Sequence, residues 1–437
     1  MIRSHPRAGG LRVAFITQPW DQILPSRGTA DGSIAILTYE VAHRLARQGH
    51  HVCIYGAGPR LDLKERVEHT DGIEIRVLPG VRAELKLFNL AHRIYTKFSG
   101  RPERDRPGYA SSHYLSGFGW QLARAIQKHG YDVVHVHNLF QIVPALRALN
   151  PDVKIILQMH SEWLSQIARD VIERSLSGVD LVIGVSDHIT QKVQSRFPDH
   201  ASHCRTIYNG VSLESFAEGA GSAGRKDRAR KRLLFVGRIS PEKGIHLLID
   251  AFEKVHRKFP DAVLDIVGPA TQVPFDFLVG LDDNPQVASL ATFYDQDKPS
   301  YFEQIKARTP ISLGGWINYL GGIPYGDMVR CYENADVFVN ATFSDSFSMP
   351  TAEAMANGLP VVAPRVGGVQ EIVVHNETGV LFDVGNTDML AEGIERLLSD
   401  DALRDAMGAA GRKRIVESFS WEGVVGTIEG AYREVLQ

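Results

Sequence analysis

The sequence is poor in features that mark several other classes of protein. Its 437 residues include three cysteines, Cys53, Cys204 and Cys331, an odd and widely spaced set that predicts a reducing compartment and no disulfide framework. The 48 basic and 51 acidic residues give a net charge of -3, so we expect no nucleic-acid partner. No apolar run approaches the roughly 20 residues of a membrane span. The short apolar run 11–17 contains Arg12 and predicts a first strand rather than a signal peptide.

Sequence motifs for other cofactor chemistries are also missing. No G-x-G-x-x-G and no P-loop follows a first-half strand, which argues against dehydrogenase or kinase chemistry. The single D-x-D, at 295–297, lies in a polar stretch and predicts a solvated loop rather than a Mg²⁺ site. His135 and His137 alternate on a predicted strand; we expect them on opposite sides, one buried and one facing a cleft. The sequence therefore predicts no metal site.

Short apolar runs alternate with helical patterns along the whole chain. This alternation is typical of parallel sheets covered by helices on both faces. A Gly- and Ala-rich, then basic stretch at 219–232 interrupts the pattern, and we interpret it as a linker between two α/β domains. Ligands of such sheets bind beyond the carboxyl ends of the strands, so a cleft between the domains is the expected site. The predicted strands are 11–17, 51–55, 73–78, 133–137, 154–160, 181–185, 233–236, 262–267, 336–340 and 360–363, and the predicted helices are 34–48, 119–129, 245–259, 350–357, 387–398 and 421–436.

The loop between the strand 336–340 and the next helix carries two acids. Asp345 lies in the loop, and Glu353, eight residues later, is expected in the first turn of the helix. Free N–H groups of residues 348–351 would suit an anion, and ionised carboxylates accept hydrogen bonds from sugar hydroxyls. Glu353 can equally be an acid that favours the helix dipole.

A second loop, Gly-Arg-Ile-Ser-Pro-Glu-Lys-Gly at 237–244, directly follows a predicted strand. Its two cations, Arg238 and Lys243, suit a diphosphate, and glycine allows close approach of the backbone. The alternative is that both are ordinary surface cations.

These segments, in this order, resemble the retaining glycosyltransferases of family 4, which have the GT-B fold. The resemblance covers nearly the whole chain and rests on FVGRISPEKGIHLLIDAF, YENADVFVNATFSDSFSMPTAEAMANGLPVVAPRVGGVQEIV and NETGVLF, with DVVHVHN, ILQMHSEW and IYNGVSLESF in the first half. It implies two doubly wound Rossmann-like domains that face a central cleft. The acceptor domain would be 1–218 and the nucleotide-sugar domain 233–417, and a C-terminal helix, 418–437, would cross back to the first domain. The family pattern has two Glu eight residues apart; here Asp345 stands in the first position.

The resemblance also implies roles for individual residues. Arg238 and Lys243 would bind the donor diphosphate, and Glu353 the ribose hydroxyls. Asp345 and His160 would contact the transferred sugar. The other implied binding positions are the backbone of Phe347, Ser348 and Met349 at the sugar, Gly32 and Ser33 at phosphate or acceptor, and Gly322, Ile323 and Pro324 at the base.

The implied activity is transfer of a sugar from a nucleotide-sugar, with UDP the common nucleotide of the family, to a hydroxyl acceptor. Transfer would retain configuration without metal or other cofactor, with the leaving diphosphate as base. A small molecule, a saccharide and a lipid-linked compound remain open as acceptor, and the oligomeric state is open. The alternatives are a nucleotide-sugar epimerase or hydrolase, and a degenerate binder that lacks turnover, motivated by Asp345. We expect a cytoplasmic enzyme.

Two regions have the character of insertions. Residues 82–106 combine basic and apolar side chains in an amphipathic pattern, which predicts either peripheral contact with the inner face of a membrane or an acidic or lipid-linked acceptor, or else an ordinary helix with a solvated basic face. Residues 272–315 are longer than such a connection needs, and a lid and an oligomer contact both fit them.

Overall fold

The protein is described by a computed structural model that covers residues 10–20, 33–57, 64–99, 104–213, 230–295 and 297–437, with only the backbone at 96–99. Gly32, Gln296 and most of the predicted linker lie outside the described residues. The chain divides into two compact units. The first is Met1–Asn209 together with Trp421–Gln437, and the second is Gly210–Ser420.

The first unit contains an eight-stranded sheet in the order β3-β4-β2-β1-β5-β6-β7-β8. All neighbours are parallel except β3 and β4, which are antiparallel. The central strand β5 is buried along its whole length, as expected of a parallel sheet covered on both faces. The strands are β1 (Arg12–Ile16), β2 (His51–Ala57), β3 (Arg66–Thr70), β4 (Ile73–Leu78), β5 (Val133–His137), β6 (Lys154–Met159), β7 (Leu181–Gly184) and β8 (Cys204–Thr206).

Amphipathic helices flank this sheet. In the first of them Ile34, Leu37, Val41 and Leu45 are buried at helical spacing, and the helix ends before Gly49, whose positive φ suits a helix terminus. The helices are α1 (Ser33–Arg47), α2 (Val81–Ser99), α3 (Ser116–His129), α4 (Val143–Leu149), α5 (Trp163–Gln166), α6 (Arg169–Leu176) and α7 (Asp187–Arg196).

The second unit contains a fully parallel six-stranded sheet in the order β11-β10-β9-β12-β13-β14. Its strands are β9 (Arg232–Val236), β10 (Val263–Val267), β11 (Ile317–Gly321), β12 (Val337–Val339), β13 (Val361–Pro364) and β14 (Gly379–Phe382). Its helices are α8 (Ile245–Lys258), α9 (Pro285–Ala288), α10 (Tyr301–Arg308), α11 (Met328–Glu333), α12 (Met349–Ala356), α13 (Val369–Ile372), α14 (Thr387–Ser399) and α15 (Asp401–Ser418).

The last helix, α16 (Trp421–Val435), returns to the first unit. Its Tyr432 is fully buried, and the hydroxyl lies 2.6 Å from His135 Nδ1 on the central strand β5. Trp421 is also buried, with the Arg44 guanidinium of α1 over its ring at 5.7 Å. These contacts make the C-terminal helix part of the first unit's core.

The described end of the predicted linker packs on the second unit. Lys231 pairs with Asp401 at 3.0 Å, Arg232 pairs with Asp265, and the Arg230 guanidinium lies 5.2 Å from the Trp316 ring centroid. The N-terminal segment of the first unit ends at Asn209, before the boundary expected at 218.

The two regions with the character of insertions form regular structure within their own units. Apolar side chains between β10 and β11, among them Val287, Leu290, Tyr301, Ile305 and Leu313, are buried in the second unit's core. That segment therefore covers the sheet. Residues 82–99 belong to α2 of the first unit. Among the helices that the structure describes, none combines the length and apolarity needed to cross a bilayer.

Candidate nucleotide-sugar site

Two loops of the second unit meet at the carboxyl edge of its sheet. Strands β9 and β12 are parallel neighbours, so the loop 237–244 after β9 and the loop 340–348 after β12 leave the same edge. The carbonyl of Glu242 accepts hydrogen bonds from Phe343 N at 2.7 Å and from Thr342 Oγ1 at 2.9 Å. Gly244 has φ 68°, and a Cβ there would collide with the carbonyl of Ala341. The close approach of the loops therefore requires glycine at this position.

An ion pair joins these loops at their tips. Lys243 Nζ lies 2.7 Å from Asp345 Oδ2, and both side chains are largely but not fully buried. The other oxygen, Asp345 Oδ1, accepts a hydrogen bond from Ser348 N at 2.9 Å. The structure thus brings together Lys243 and Asp345, two of the residues singled out from the sequence.

Arg238 is the more exposed of the two cations. Its side chain is 51% exposed, and the guanidinium lies 3.8 Å from Glu242 Oε1. Glu242 itself is buried and its other oxygen accepts a hydrogen bond from Ser240 Oγ. The exposed Arg238 is therefore paired with a buried acid. Sequence reasoning gave Glu242 no role, although it lies inside the quoted loop.

Side-chain hydrogen bonds hold the start of α12, and they occupy part of its backbone N–H groups. Ser348 has φ 71°, unusual for a residue other than glycine, and Asn340 Nδ2 donates to its Oγ at 3.0 Å and to Thr351 Oγ1 at 3.2 Å. The expectation that the N–H groups of 348–351 are free is wrong in part. Ser348 N donates to Asp345, and Pro350 has no N–H to offer.

Glu353 is a buried acid with a tyrosine partner. It is the fifth residue of α12, so the expectation of a first-turn acid at the helix dipole is wrong. Tyr332 Oη, from α11, donates to Glu353 Oε2 at 2.7 Å, and both residues are buried. Burial raises the pKa of Glu353 to about 7, against the lowering effect of hydrogen bonds from Tyr332 and Tyr325. Sequence reasoning missed both tyrosines, although Tyr332 opens one of the quoted segments.

The loop proposed to border the base directly precedes Tyr325 in the chain. Gly322, Ile323 and Pro324 follow β11, with Gly322 and Pro324 exposed and Ile323 partly buried. Tyr325, the next residue, is the second hydrogen-bond donor to Glu353. This places the backbone of 322–324 next in sequence to a group that contacts the proposed ribose-binding acid.

In the first unit, His160 directly follows β6 and is a partly buried member of a cluster with the buried His135 and His137. His160 N donates to Asn138 Oδ1 at 2.7 Å, and His160 Nε2 lies 2.9 Å from His137 Nδ1. His135 Nε2 lies 2.9 Å from Gln158 Oε1. Burial lowers the pKa of His135 and of His160 to about 3, and the pKa of His137 well below its ordinary value. All three rings are therefore neutral at pH 7.

The expectation that His135 and His137 face opposite sides of their strand is wrong. Residues two apart on a strand share a face. Their rings stack at 4.8 Å between centroids, and both are buried. Across the described ranges, no group of three or more His, Cys, Asp or Glu is arranged to hold a metal ion.

Two further predictions concern Ser33 in the first unit and the D-x-D at 295–297 in the second. Ser33 is the exposed first residue of α1, while Gly32 lies outside the described residues. Asp295 and Asp297 are exposed, and Asp295 Oδ1 accepts a hydrogen bond from Asp297 N at 3.1 Å. An exposed turn, in which the Asp295 carboxylate accepts a hydrogen bond from the backbone of Asp297, agrees with the solvated loop expected there.

Comparisons with known proteins show similarity to glycosyltransferases. Residues 222–414 match the family model described as glycosyl transferases group 1, and residues 34–215 match the model described as glycosyltransferase family 4. The D-inositol 3-phosphate glycosyltransferase of Kribbella flavida is 28% identical over 446 residues, which cover 98% of this chain and 96% of that protein.

Solved structures share the fold. The sucrose-phosphate synthase of Thermosynechococcus elongatus has a TM-score of 0.70 and 22% identity, with 97% of this chain and 99% of that chain covered. Anabaena HepE, solved with UDP and glucose, has a TM-score of 0.66 and 17% identity, covering 96% and 99%. The two parallel-sheet units thus have the GT-B glycosyltransferase fold. With both family models matched in order along it, the chain belongs to the family 4 glycosyltransferases, a family of sugar-transferring enzymes.

Proposed function

We propose that the enzyme transfers a sugar from a nucleoside diphosphate sugar, a UDP-sugar, to a hydroxyl acceptor with retention of configuration and without a metal ion. The observation that carries the proposal is the pairing of Lys243 with Asp345 at the edge where β9 and β12 end. The UDP complex of HepE, a protein of the same fold, supports the choice of nucleotide.

The donor diphosphate is assigned to Lys243 and Arg238. An ammonium group has three N–H donors, so the bond to Asp345 leaves two for phosphate oxygens. The guanidinium of Arg238 is exposed at the same loop and can bind two oxygens at once. Each such charge-assisted bond contributes roughly 1.5–3 kcal/mol, and it strengthens as negative charge develops on the leaving group.

The ribose is assigned to Glu353. A carboxylate accepts about four hydrogen bonds, so those from the tyrosines leave room for ribose hydroxyls. Tyr332 holds one oxygen and thereby fixes the orientation of the other. The backbone of Gly322, Ile323 and Pro324, close in sequence to Tyr325, is assigned to the base.

The transferred sugar is assigned to Asp345, to the backbone of 347–349 and to His160. The neutral imidazole of His160 already uses Nε2 in its contact with His137, which leaves Nδ1 for a sugar hydroxyl and does not suit a strong acid role. We assign proton removal from the acceptor hydroxyl to the leaving diphosphate, which departs from the face that the acceptor attacks. Gly32 and Ser33 are assigned to phosphate or acceptor.

The test is a donor panel followed by product analysis. UDP-, GDP-, ADP- and dTDP-sugars are compared by thermal shift, because a ligand that binds only the folded state raises the apparent melting temperature. Acceptors then include a cyclitol phosphate, prompted by the name of the Kribbella relative, as well as saccharides and lipid-linked compounds. NMR of the product should show the donor's anomeric configuration, and EDTA should leave the rate unchanged. Inversion, or loss of activity in EDTA that Mg²⁺ restores, would contradict the mechanism.

One observation favours a second candidate, a donor-binding protein without turnover. Both oxygens of Asp345 already accept hydrogen bonds from the protein, and its side chain is one methylene shorter than the family's Glu. Donor binding with no transfer, and transfer gained by Asp345→Glu, would establish this candidate. Turnover of donor in the absence of any acceptor would instead indicate an epimerase or hydrolase.

A further inference from the structure

Helix α2 of the first unit has one face fixed to the protein and another that is exposed and apolar. Leu87, Leu90 and Ile94 are 68%, 57% and 52% exposed, although exposed large apolar side chains are usually scattered singly. Their spacing of i, i+3 and i+7 places them on one stripe of the helix.

The inward face of α2 fixes which way this stripe points. Val81 is buried, and the Phe88 ring packs edge-on against Tyr114 with 5.1 Å between centroids. Glu84 accepts hydrogen bonds from Gly117 N at 2.6 Å and from Phe118 N at 2.9 Å, at the start of α3. At about 100° per residue these three side chains lie on the side of the helix opposite Leu90.

The charge on α2 is strongly asymmetric. Its sequence contains Arg82, Lys86, Arg93 and Lys97 but only one acid, Glu84, and that acid is turned inward to the amides of α3. Lys86 and Arg93 are exposed and lie on a stripe next to the apolar one. The outward face therefore presents apolar and cationic side chains together.

We propose that this outward face of α2, formed by Lys86, Leu87, Leu90, Arg93 and Ile94, docks the enzyme on the surface of an anionic lipid bilayer. Apolar side chains enter the boundary between headgroups and acyl chains while neighbouring cations bind lipid phosphates, which is how interfacial helices bind. A second copy of the chain fits less well, because the one acid of α2, Glu84, is turned inward and cannot pair with the cations of a partner's α2. The inference is independent of the donor and acceptor.

The test is co-sedimentation of the full chain with vesicles of phosphatidylglycerol and phosphatidylcholine, compared with phosphatidylcholine alone. We expect binding to the anionic vesicles that falls at least tenfold between 50 mM and 500 mM NaCl. Two variants should each lose binding by tenfold or more: the apolar Leu87→Ser/Leu90→Ser/Ile94→Ser and the charge-reversed Lys86→Glu/Arg93→Glu. Because the second keeps the apolar residues, it remains informative if the first folds poorly.

Two matched controls come from the second unit. Ile311→Ser removes an apolar side chain that is 98% exposed, and Lys413→Glu reverses a cation whose side chain is 75% exposed. Both should bind vesicles like the wild type. The proposal is overturned if the wild type does not bind anionic vesicles, if it binds neutral vesicles equally well, or if both α2 variants bind unchanged. It is also overturned if ultracentrifugation shows a dimer that the α2 variants abolish.

Discussion

Lys243 and Asp345, 102 residues apart in the sequence, form an ion pair with 2.7 Å between Nζ and Oδ2. The pair spans the loops that follow neighbouring strands β9 and β12. Asp345 also holds the amide of Ser348, so a single carboxylate orients the lysine and fixes the entry into α12. Since this acid has two separable roles, variants that divide them are informative.

The first prediction concerns the two cations. Lys243→Ala and Arg238→Ala should each lower the transfer rate at least about tenfold, the equivalent of roughly 1.4 kcal/mol in the barrier, because each removes a positive charge from the leaving diphosphate. Steady-state kinetics measure the effect. Lys254→Ala, on the exposed side of α8, is the matched control and should retain the wild-type rate. Near-wild-type rates for both site variants would make the diphosphate assignment wrong.

The second prediction separates the roles of Asp345. Asp345→Asn keeps an oxygen for the Ser348 amide but loses the charge that pairs with Lys243, so transfer should fall while stability changes little. Asp345→Ala also leaves the Ser348 amide without its acceptor, which should lower the free energy of unfolding by about 1–2 kcal/mol. Urea denaturation and transfer assays on both variants measure these effects. Equal stability of the two variants would argue against the role at Ser348.

The third prediction follows from the raised pKa of Glu353. Its pKa is about 7 in the folded protein against an ordinary value of 4.5, so the folded state binds more protons than the unfolded state between these pH values. The free energy of unfolding should therefore fall by about 3 kcal/mol from this group as the pH rises from 4.5 to 8. Glu353→Gln should lack that component.

Denaturation of the wild type and Glu353→Gln at pH 5 and pH 8 measures this component directly. A stability difference that is the same at both values would show that Glu353 is not the titrating group. The same variant should weaken nucleotide affinity more than acceptor affinity. Equal effects on both would indicate a structural role for Glu353.

The fourth prediction concerns His137 and has the opposite sign. Burial lowers the pKa of His137 below that of an unfolded histidine, so the unfolded state takes up the proton first as the pH falls below about 6.5. The neutral His137 therefore contributes to the free energy of unfolding above that pH. This contribution is lost as the pH falls, by up to about 1.4 kcal/mol per pH unit. His137→Gln should therefore lose less stability than the wild type between pH 6 and pH 4.5. Parallel pH profiles in guanidinium denaturation would contradict this.

Elements whose apolar residues follow the period of a strand or of a helix could be predicted from the sequence. Strands β4 and β5 have the expected bounds, and α8 differs by one residue. In these elements the positions of the apolar residues along the sequence indicate which residues are buried. Strand β3, Arg66–Thr70, escaped prediction because it is a polar, partly exposed edge strand, and β11 is an edge strand as well. Helix α15 escaped because its glycines and charges weaken the apolar periodicity.

The candidate site could be predicted only as a set of segments. The sequence indicated that Lys243 and Asp345 follow strands, but strand order decides that β9 and β12 are neighbours. Tyr332 contacts Glu353 from another helix, 21 residues away, and no local pattern indicates such a contact. His135 and His137 were expected on opposite faces because the alternation of side chains along a strand was applied wrongly. Side chains alternate at every residue, so residues two apart lie on the same face.

The most direct test of the central claim is calorimetric titration of UDP into the wild type, Lys243→Ala and the control Lys254→Ala. If Lys243 binds the donor diphosphate, the wild type and the control should bind UDP with the same affinity, and Lys243→Ala should bind at least about tenfold more weakly, a loss of roughly 1.4 kcal/mol. Equal affinity of all three proteins for UDP would contradict this role of Lys243.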